Sequence, residues 1–259
     1  MSSRIDSAFS RGKAFIPFIT CGDPDLDTTK KLVLAMAASG ADLIELGIPF
    51  SDPIAEGVVI QQADQRALHA NTTLAGIFTM VKEIRKETSI PLVFMTYINP
   101  IFTYGKEKFL HTCHQTGIDG IIVPDLPFEE QEEILPLCKH YDINLISMIA
   151  PTSKQRTTLV AEQSNGFLYC VSSLGVTGMR NTIDDSVQDM VSVAKQVTTT
   201  PCCIGFGISN EEQASHFAQF ADGIIVGSAI VRMIGEYGRN SIEPVSQFVR
   251  SMKKAANHV

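Results

Sequence analysis

Gly40-Ala41-Asp42-Leu43-Ile44-Glu45 is echoed at Gly117-Ile118-Asp119-Gly120-Ile121-Ile122 and again at Ala221-Asp222-Gly223-Ile224-Ile225. Each stretch reads as one corner used three times: a helix end, a turn with an Asp, then a short buried strand. Around these corners the chain alternates β-branched apolar runs with longer segments of helical period, the pattern of βαβ units that build a parallel sheet. Strands are predicted at 15–20, 43–47, 92–96, 120–123, 144–149, 167–171, 202–205 and 223–226, which makes eight. Such corners also occur in open doubly wound sheets. Eight units in 259 residues favour closure, because an eight-fold α/β barrel uses about 250 residues.

The expected fold is therefore a single (β/α)8 TIM barrel domain over residues 1–259, with an extra N-terminal helix near 3–11. Helices are predicted to begin near Asp25, Thr73, Gly105, Phe128, Ser153, Ile183 and Asn210, with a last one over 243–256. Asp25 and the run Ser209-Asn210-Glu211-Glu212 supply capping acceptors and carboxylates to positive helix ends.

Composition narrows the function classes. Hydrophobic residues make up 44% and charged residues 19%, and the 18 Gly and 12 Pro are spread rather than gathered into a linker. With 21 Lys and Arg against 28 Asp and Glu, the net charge of −7 opposes binding to nucleic acid or to an anionic membrane. No uncharged apolar run approaches the roughly 18 residues of a membrane span. The six Cys form no CxxC pair and lie in apolar surroundings; with no signal peptide evident, a reduced, cytoplasmic protein is expected.

In a closed parallel barrel the chemistry sits on the loops after the carboxyl ends of the strands. The loop after the second strand, 47–57, holds two prolines and two acids, and the strand before it contains Glu45. If Ile44 and Leu46 face the helices, alternation turns Leu43, Glu45 and Gly47 toward the barrel axis. Burial there would raise the carboxyl pKa toward neutrality, which suits a group that gives and takes a proton. A structural Glu would need a cation from another strand, and none of the other predicted strands contains one. Glu56, at the far end of the loop, is equally readable as a solvated carboxylate and as a group folded over the mouth. Asp52, between Ser51 and Pro53, reads as a turn-former.

A net-negative protein that holds an anion needs a local device. Leu174-Gly175-Val176-Thr177-Gly178, Gly205-Phe206-Gly207-Ile208-Ser209 and Gly227-Ser228-Ala229-Ile230 follow the last three strands. Barrels frequently cradle phosphate there on backbone N–H groups and the start of a short helix. Neither GxxxxGK[ST] nor GxGxxG is present to suggest a nucleotide. His111-Thr112-Cys113-His114 has metal-like spacing but lacks a second ligand cluster, so an ordinary helix surface and no metal are expected. Lys and Glu runs such as 82–86 read as solvated helix faces.

Phe18-Ile19-Thr20-Cys21-Gly22-Asp23-Pro24, Glu45-Leu46-Gly47-Ile48-Pro49-Phe50-Ser51-Asp52-Pro53, Gly175-Val176-Thr177-Gly178 and Gly205-Phe206-Gly207-Ile208 together resemble the tryptophan synthase alpha subunit over about residues 15–252. That resemblance implies a cofactor-free retro-aldol cleavage of indole-3-glycerol phosphate to indole and glyceraldehyde 3-phosphate. It assigns proton transfer to Glu45 and contact with the indole N–H to Glu56. The family's usual residue at the second position is Asp, one methylene shorter, and Gly57-Val58 replaces a usual Gly-Pro.

By the same resemblance Phe18, Ile60, Met95, Tyr97, Asp125, Tyr169, Thr177 and Phe206 bind substrate, and Gly178, Gly207, Gly227 and Ser228 hold its phosphate. Pro49 and Asp52 would face a beta subunit that carries pyridoxal phosphate, in an alpha2-beta2 heterotetramer; no cofactor is expected in this chain. Two other functions fit the residues: a weakly catalytic subunit that mainly activates its partner, and another phosphate-binding barrel such as a sugar-phosphate isomerase or epimerase.

Overall fold

The computed structural model describes residues 3–171, 180–205 and 207–257. Its strands are β1 (Ala14–Thr20), β2 (Ile44–Gly47), β3 (Leu92–Met95), β4 (Gly120–Ile122), β5 (Asn144–Ile146), β6 (Met148–Ile149), β7 (Leu168–Val171), β8 (Cys202–Gly205) and β9 (Gly223–Val226). Every neighbouring pair is parallel, and the order is β5-β4-β3-β2-β1-β9-β8-β7-β6. The two ends of that sheet, β5 and β6, are consecutive in the chain. They are halves of the fifth predicted strand, interrupted at Ser147, where the chain leaves β4 and takes up β7. The Ser147 carbonyl accepts from Tyr169 N at 2.9 Å, so the residue between the halves is itself bonded to β7 and the barrel closes there. The eight predicted strands thus form one closed TIM barrel.

The helices are α1 (Arg4–Ala8), α2 (Leu26–Ala38), α3 (Val58–His69), α4 (Leu74–Arg85), α5 (Ile98–Tyr104), α6 (Lys106–Thr116), α7 (Leu135–His140), α8 (Lys154–Glu162), α9 (Arg180–Lys195), α10 (Glu211–Ala218), α11 (Ser228–Tyr237) and α12 (Ile242–Asn257). Asp25, Thr73, Ser153 and Asn210 each cap a helix by accepting a backbone N–H on the side chain. The helix predicted from Phe128 forms differently: a 3-10 turn spans Phe128–Glu133 and the α-helix starts only at Leu135. Pro136 has no N–H to bond the carbonyl four residues back, so one continuous helix cannot run through it. Helices α3 and α5 were not anticipated.

The core has two layers. Inside the barrel, Ile16, Leu43, Val93, Ile122, Ile146 and Ile225 interdigitate, and Ile5 and Ala8 of α1 join them from the end where the strands begin. Outside it, Phe15, Ile19, Ile44, Leu46 and Phe94 pack against the helices. Each fully buried side chain of this size contributes about 1.5–3 kcal/mol.

The three echoed corners share one device. Asp42, Asp119 and Asp222 each donate a backbone N–H to the carbonyl of Phe15, Leu92 and Cys202 respectively, and accept that same residue's N–H on a side-chain oxygen. A cation from a helix completes each corner: Lys253 on Asp42 at 2.7 Å, Arg85 on Asp119 at 2.8 Å and Lys195 on Asp222 at 2.8 Å. The reading of 82–86 as a solvated face holds for its Lys and Glu residues and is corrected at Arg85. The Arg85 side chain is only 12% exposed, and desolvation pulls its pKa down to about 10. All three corners lie at the amino ends of the strands.

Candidate active site at the barrel mouth

Glu45 stands near the carboxyl end of β2, in register with Phe18 of β1 and Val93 of β3. Ile44 and Leu46 belong to the outer layer and Leu43 to the inner one, so the pleat turns Glu45 inward. Its exposure is 0%, and neither carboxyl oxygen has a hydrogen-bond partner among the described residues. An ionised carboxylate without a donor in such a place costs several kcal/mol. Burial accordingly pushes the Glu45 pKa up to about 8. Burial also raises the hydroxyl of Tyr169 on β7, and the proximity of Glu45 adds to that rise.

A second carboxyl group assembles beside it from the loop and helix after β2. The Glu56 carbonyl accepts from Gln61 Nε2 at 2.8 Å, tying the loop to the first turn of α3, and the Glu56 side chain folds inward, half-buried. There it lies within hydrogen-bonding reach of Asp64, a residue the sequence reading did not single out. Asp64 sits one turn after Ile60 on α3 and is 3% exposed. Burial, then the hydrogen bond and charge of Glu56, push Asp64 up to about 9. Burial raises Glu56 as well, while Asp64 and the neighbouring Tyr97 hydroxyl hold that rise back. Glu56 Oε2 and Asp64 Oδ2 are buried without a donor among the described residues. A lone acid in the otherwise apolar stripe Ile60, Ala63, Asp64, Ala67 was the available signal.

Aromatic and apolar groups surround these carboxyls. Phe18, Ile60 and Met95 meet in one small cluster with Ala63 and Val231. The Phe18 ring fills the space over two glycines: a Cβ on Gly47 would stand 2.6 Å from its tip, and one on Gly227 would stand 3.3 Å from its Cδ1. Tyr97 is 3% exposed, packs on Phe50 with ring centroids 5.4 Å apart and accepts from Ala55 N at 3.0 Å. Asp125 accepts from Ile98 N at 2.9 Å, which makes it a cap for α5 at the rim of the mouth.

At the phosphate end, Gly207 has φ +79° and no atom of the described residues within 4 Å of where a Cβ would be. Gly227 caps α11 with no side-chain hydrogen bond, and Ser228 is exposed as the first residue of that helix. Thr177, Gly178 and Phe206 lie outside the described residues. Of the two residues expected at a partner interface, Asp52 is exposed and accepts the Ser51 hydroxyl, whereas Pro49 is buried within the chain. His111 and His114 are exposed on α6, with His111 stacked on Tyr141. Among the described residues no group of three or more His, Cys, Asp or Glu could hold a metal ion.

A closed parallel barrel with desolvated carboxyl groups at the carboxyl ends of its strands is a barrel enzyme built to move protons. A family model described as tryptophan synthase alpha chain matches residues 6–258. The chain belongs to the tryptophan synthase alpha chain family. It is 47% identical to the tryptophan synthase alpha chain of Alkaliphilus metalliredigens, covering 95% of this chain and 93% of the relative. It is 43% identical to that of Lacticaseibacillus casei, covering 99% and 97%. A crystal structure of tryptophan synthase subunit alpha from Legionella pneumophila superposes with a TM-score of 0.91 at 34% identity over all of both chains. A chain of the tryptophan synthase a2b2 complex from Pyrococcus furiosus gives 0.86 at 39% identity, covering 93% of this chain and 98% of that one.

Proposed function

We propose that Glu45 and Glu56 carry the reaction of this family, the retro-aldol cleavage of indole-3-glycerol phosphate to indole and glyceraldehyde 3-phosphate in tryptophan biosynthesis. The observation that supports it most is the Glu45 carboxyl, fully buried in the mouth with no partner on either oxygen. Cleavage requires a proton on indole C3, removal of the glyceryl hydroxyl proton, and relief of the positive charge that develops on the indole nitrogen. With its pKa near 8, Glu45 holds a proton in most molecules at pH 7. It gives that proton to C3. As a carboxylate it then takes the hydroxyl proton while the carbon–carbon bond breaks and the hydroxyl carbon becomes the aldehyde. Glu45 ends protonated, as it began.

Glu56 meets the indole N–H and stabilises the charge on the ring. Phe18, Ile60, Met95, Tyr97 and Tyr169 supply an apolar and aromatic enclosure for the ring, with Asp125 at its rim; Thr177 and Phe206 belong to the same reading. Gly178, Gly207, Gly227 and Ser228 hold the phosphate, for which the unblocked backbone at Gly207 and the open end of α11 are suited. The family's pyridoxal phosphate resides in the beta subunit, and this chain supplies side-chain acid–base chemistry alone.

The same reading gives the chain a beta subunit as partner, as in the a2b2 complex of the Pyrococcus furiosus relative. Exposed Ile54, Val58 and Phe102 around the mouth, at 79%, 67% and 46%, suit an apolar interface near Asp52. We assign it to the cytoplasm, since all six cysteines are free thiols buried in the fold. No helix of the described residues is long and apolar enough to cross a membrane. Residues 1–259 are taken as one domain.

Steady-state cleavage of indole-3-glycerol phosphate by the chain alone and with its beta subunit tests the assignment. Glu45→Gln is expected to lower turnover in both by about a thousandfold with the fold intact. Retention of a tenth of the activity would overturn Glu45's role, and no cleavage by the parent chain in either form would leave only a regulatory subunit.

A further inference from the structure

The half-buried Glu56 and the buried Asp64 bring their carboxyl groups within reach of one another, each with a buried oxygen that no donor among the described residues satisfies. Two ionised carboxylates cannot satisfy each other, since both only accept. One proton between them satisfies both oxygens and leaves the pair with a single negative charge. Among the described residues no cation changes this balance. Arg66, two residues beyond Asp64 on α3, commits its guanidinium to Asp23 with bonds of 2.8 and 2.7 Å.

The other groups facing the pair are the Thr20 hydroxyl and Cys21 thiol at the end of β1, the backbone of Phe50, and Tyr97 after β3. The Cys21 thiol, raised by burial and further by Asp64, stays protonated. Tyr97, raised by burial to about 12, is likewise neutral. Among the described groups facing the pair, the hydroxyls and the thiol keep their own protons, so the acid proton of the pair is the one the two carboxyls share.

We propose that Asp64 is a positioning residue for the cleavage: it keeps the shared proton and donates it to Glu56, holding Glu56 as an anion whose carboxyl is fixed toward the mouth. Asp64 exchanges no atom with substrate. The rigid α3 backbone carries Asp64, whereas Glu56 is on a loop, so the helix supplies the fixed end of the hydrogen bond. The hydrogen bond between the two raises Asp64 and lowers Glu56, which agrees with Asp64 being the member that keeps the proton. This rests on the role given to Glu56 above.

Three variants of the full chain with its beta subunit test the proposal, with turnover of indole-3-glycerol phosphate and a 13C NMR titration of the Glu56 carboxyl as readouts. Asp64→Asn keeps shape and a donor and removes the titrating acid. It should leave kcat within about threefold of the parent and Glu56 ionised over the same pH range. Asp64→Ala removes the donor and should lower kcat about tenfold or more with little change in KM, while the Glu56 titration moves up by about one pH unit. Equal impairment of both variants, or an unmoved Glu56 titration in Asp64→Ala, overturns the proposal. Glu56→Gln separates the two layers: if it retains turnover, the role of Glu56 in cleavage falls, while the NMR titration still decides whether Asp64 holds the proton.

Discussion

The hydroxyl of Tyr169 stands 2.5 Å from the point where a Cβ on Gly205 would lie, so the phenol occupies space that only glycine leaves open. Tyr169 is also the aromatic side chain whose hydroxyl titration feels Glu45. Gly205→Ala is therefore expected to displace the ring rather than the strand. Overpacking of this kind costs about 1–3 kcal/mol, read as a lower denaturation midpoint. It should also raise KM for the indole-bearing substrate; an unchanged KM would show that the ring does not line the pocket.

Glu45 ties activity against stability. Its pKa rises from 4.5 to about 8, so between those values the folded chain keeps a proton that the unfolded chain has released. The folded state binds more protons there, and stability falls as pH rises through that window. Glu45→Gln removes the penalty. It should lose about a thousandfold in turnover, within the range expected for a general acid–base group, yet be more stable than the parent by a few kcal/mol at pH 8 and by little at pH 4. Urea unfolding at the two pH values checks this, and a variant less stable at pH 8 than its parent refutes it.

Glu56→Asp shortens the side chain by one methylene and withdraws it from Asp64. A catalytic group displaced by about 1 Å costs around a hundredfold in rate, so turnover should fall by about ten- to a hundredfold. A gain in turnover would show instead that the longer side chain hinders the reaction.

Asp119→Ala unclamps Leu92 and leaves the buried guanidinium of Arg85 without its carboxylate. Removing one member of a buried ion pair costs about 3–5 kcal/mol. Thermal unfolding should register that loss, while kcat at 25 °C stays near the parent value because the corner lies at the end of the barrel away from Glu45.

Gly207→Ala adds a Cβ where no atom of the described residues stands within 4 Å, but at φ +79°. The strain is about 1–2 kcal/mol. KM should rise and kcat change little, if the backbone there meets the phosphate; an equal effect on a substrate lacking phosphate would argue against it.

Much of this architecture is legible in the sequence because local chemistry and tertiary packing agree. Asp25, Thr73, Ser153 and Asn210 are capping residues by type, and each caps a helix. The alternation around Ile44 and Leu46 sufficed to turn Glu45 inward. Less was legible where a side chain's partner lies far along the chain. Arg85 sits in a charged run, and only the approach of Asp119, 34 residues away, makes it a buried member of a corner. Helix α3 begins at Gly57 with no side-chain cap to announce it, and so the acid on its inner face passed unremarked. The break at Ser147 has no composition signal, since it arises from a change of neighbour at the closing seam.

The Asp corners gather their hydrogen bonds at the amino ends of the strands, whereas the buried carboxyl oxygens without a donor among the described residues gather at the mouth. Tolerance to change should be polarised accordingly. Substitutions that redraw the mouth leave the foundations untouched, so a lineage can explore new substrates on this scaffold without first relearning how to fold.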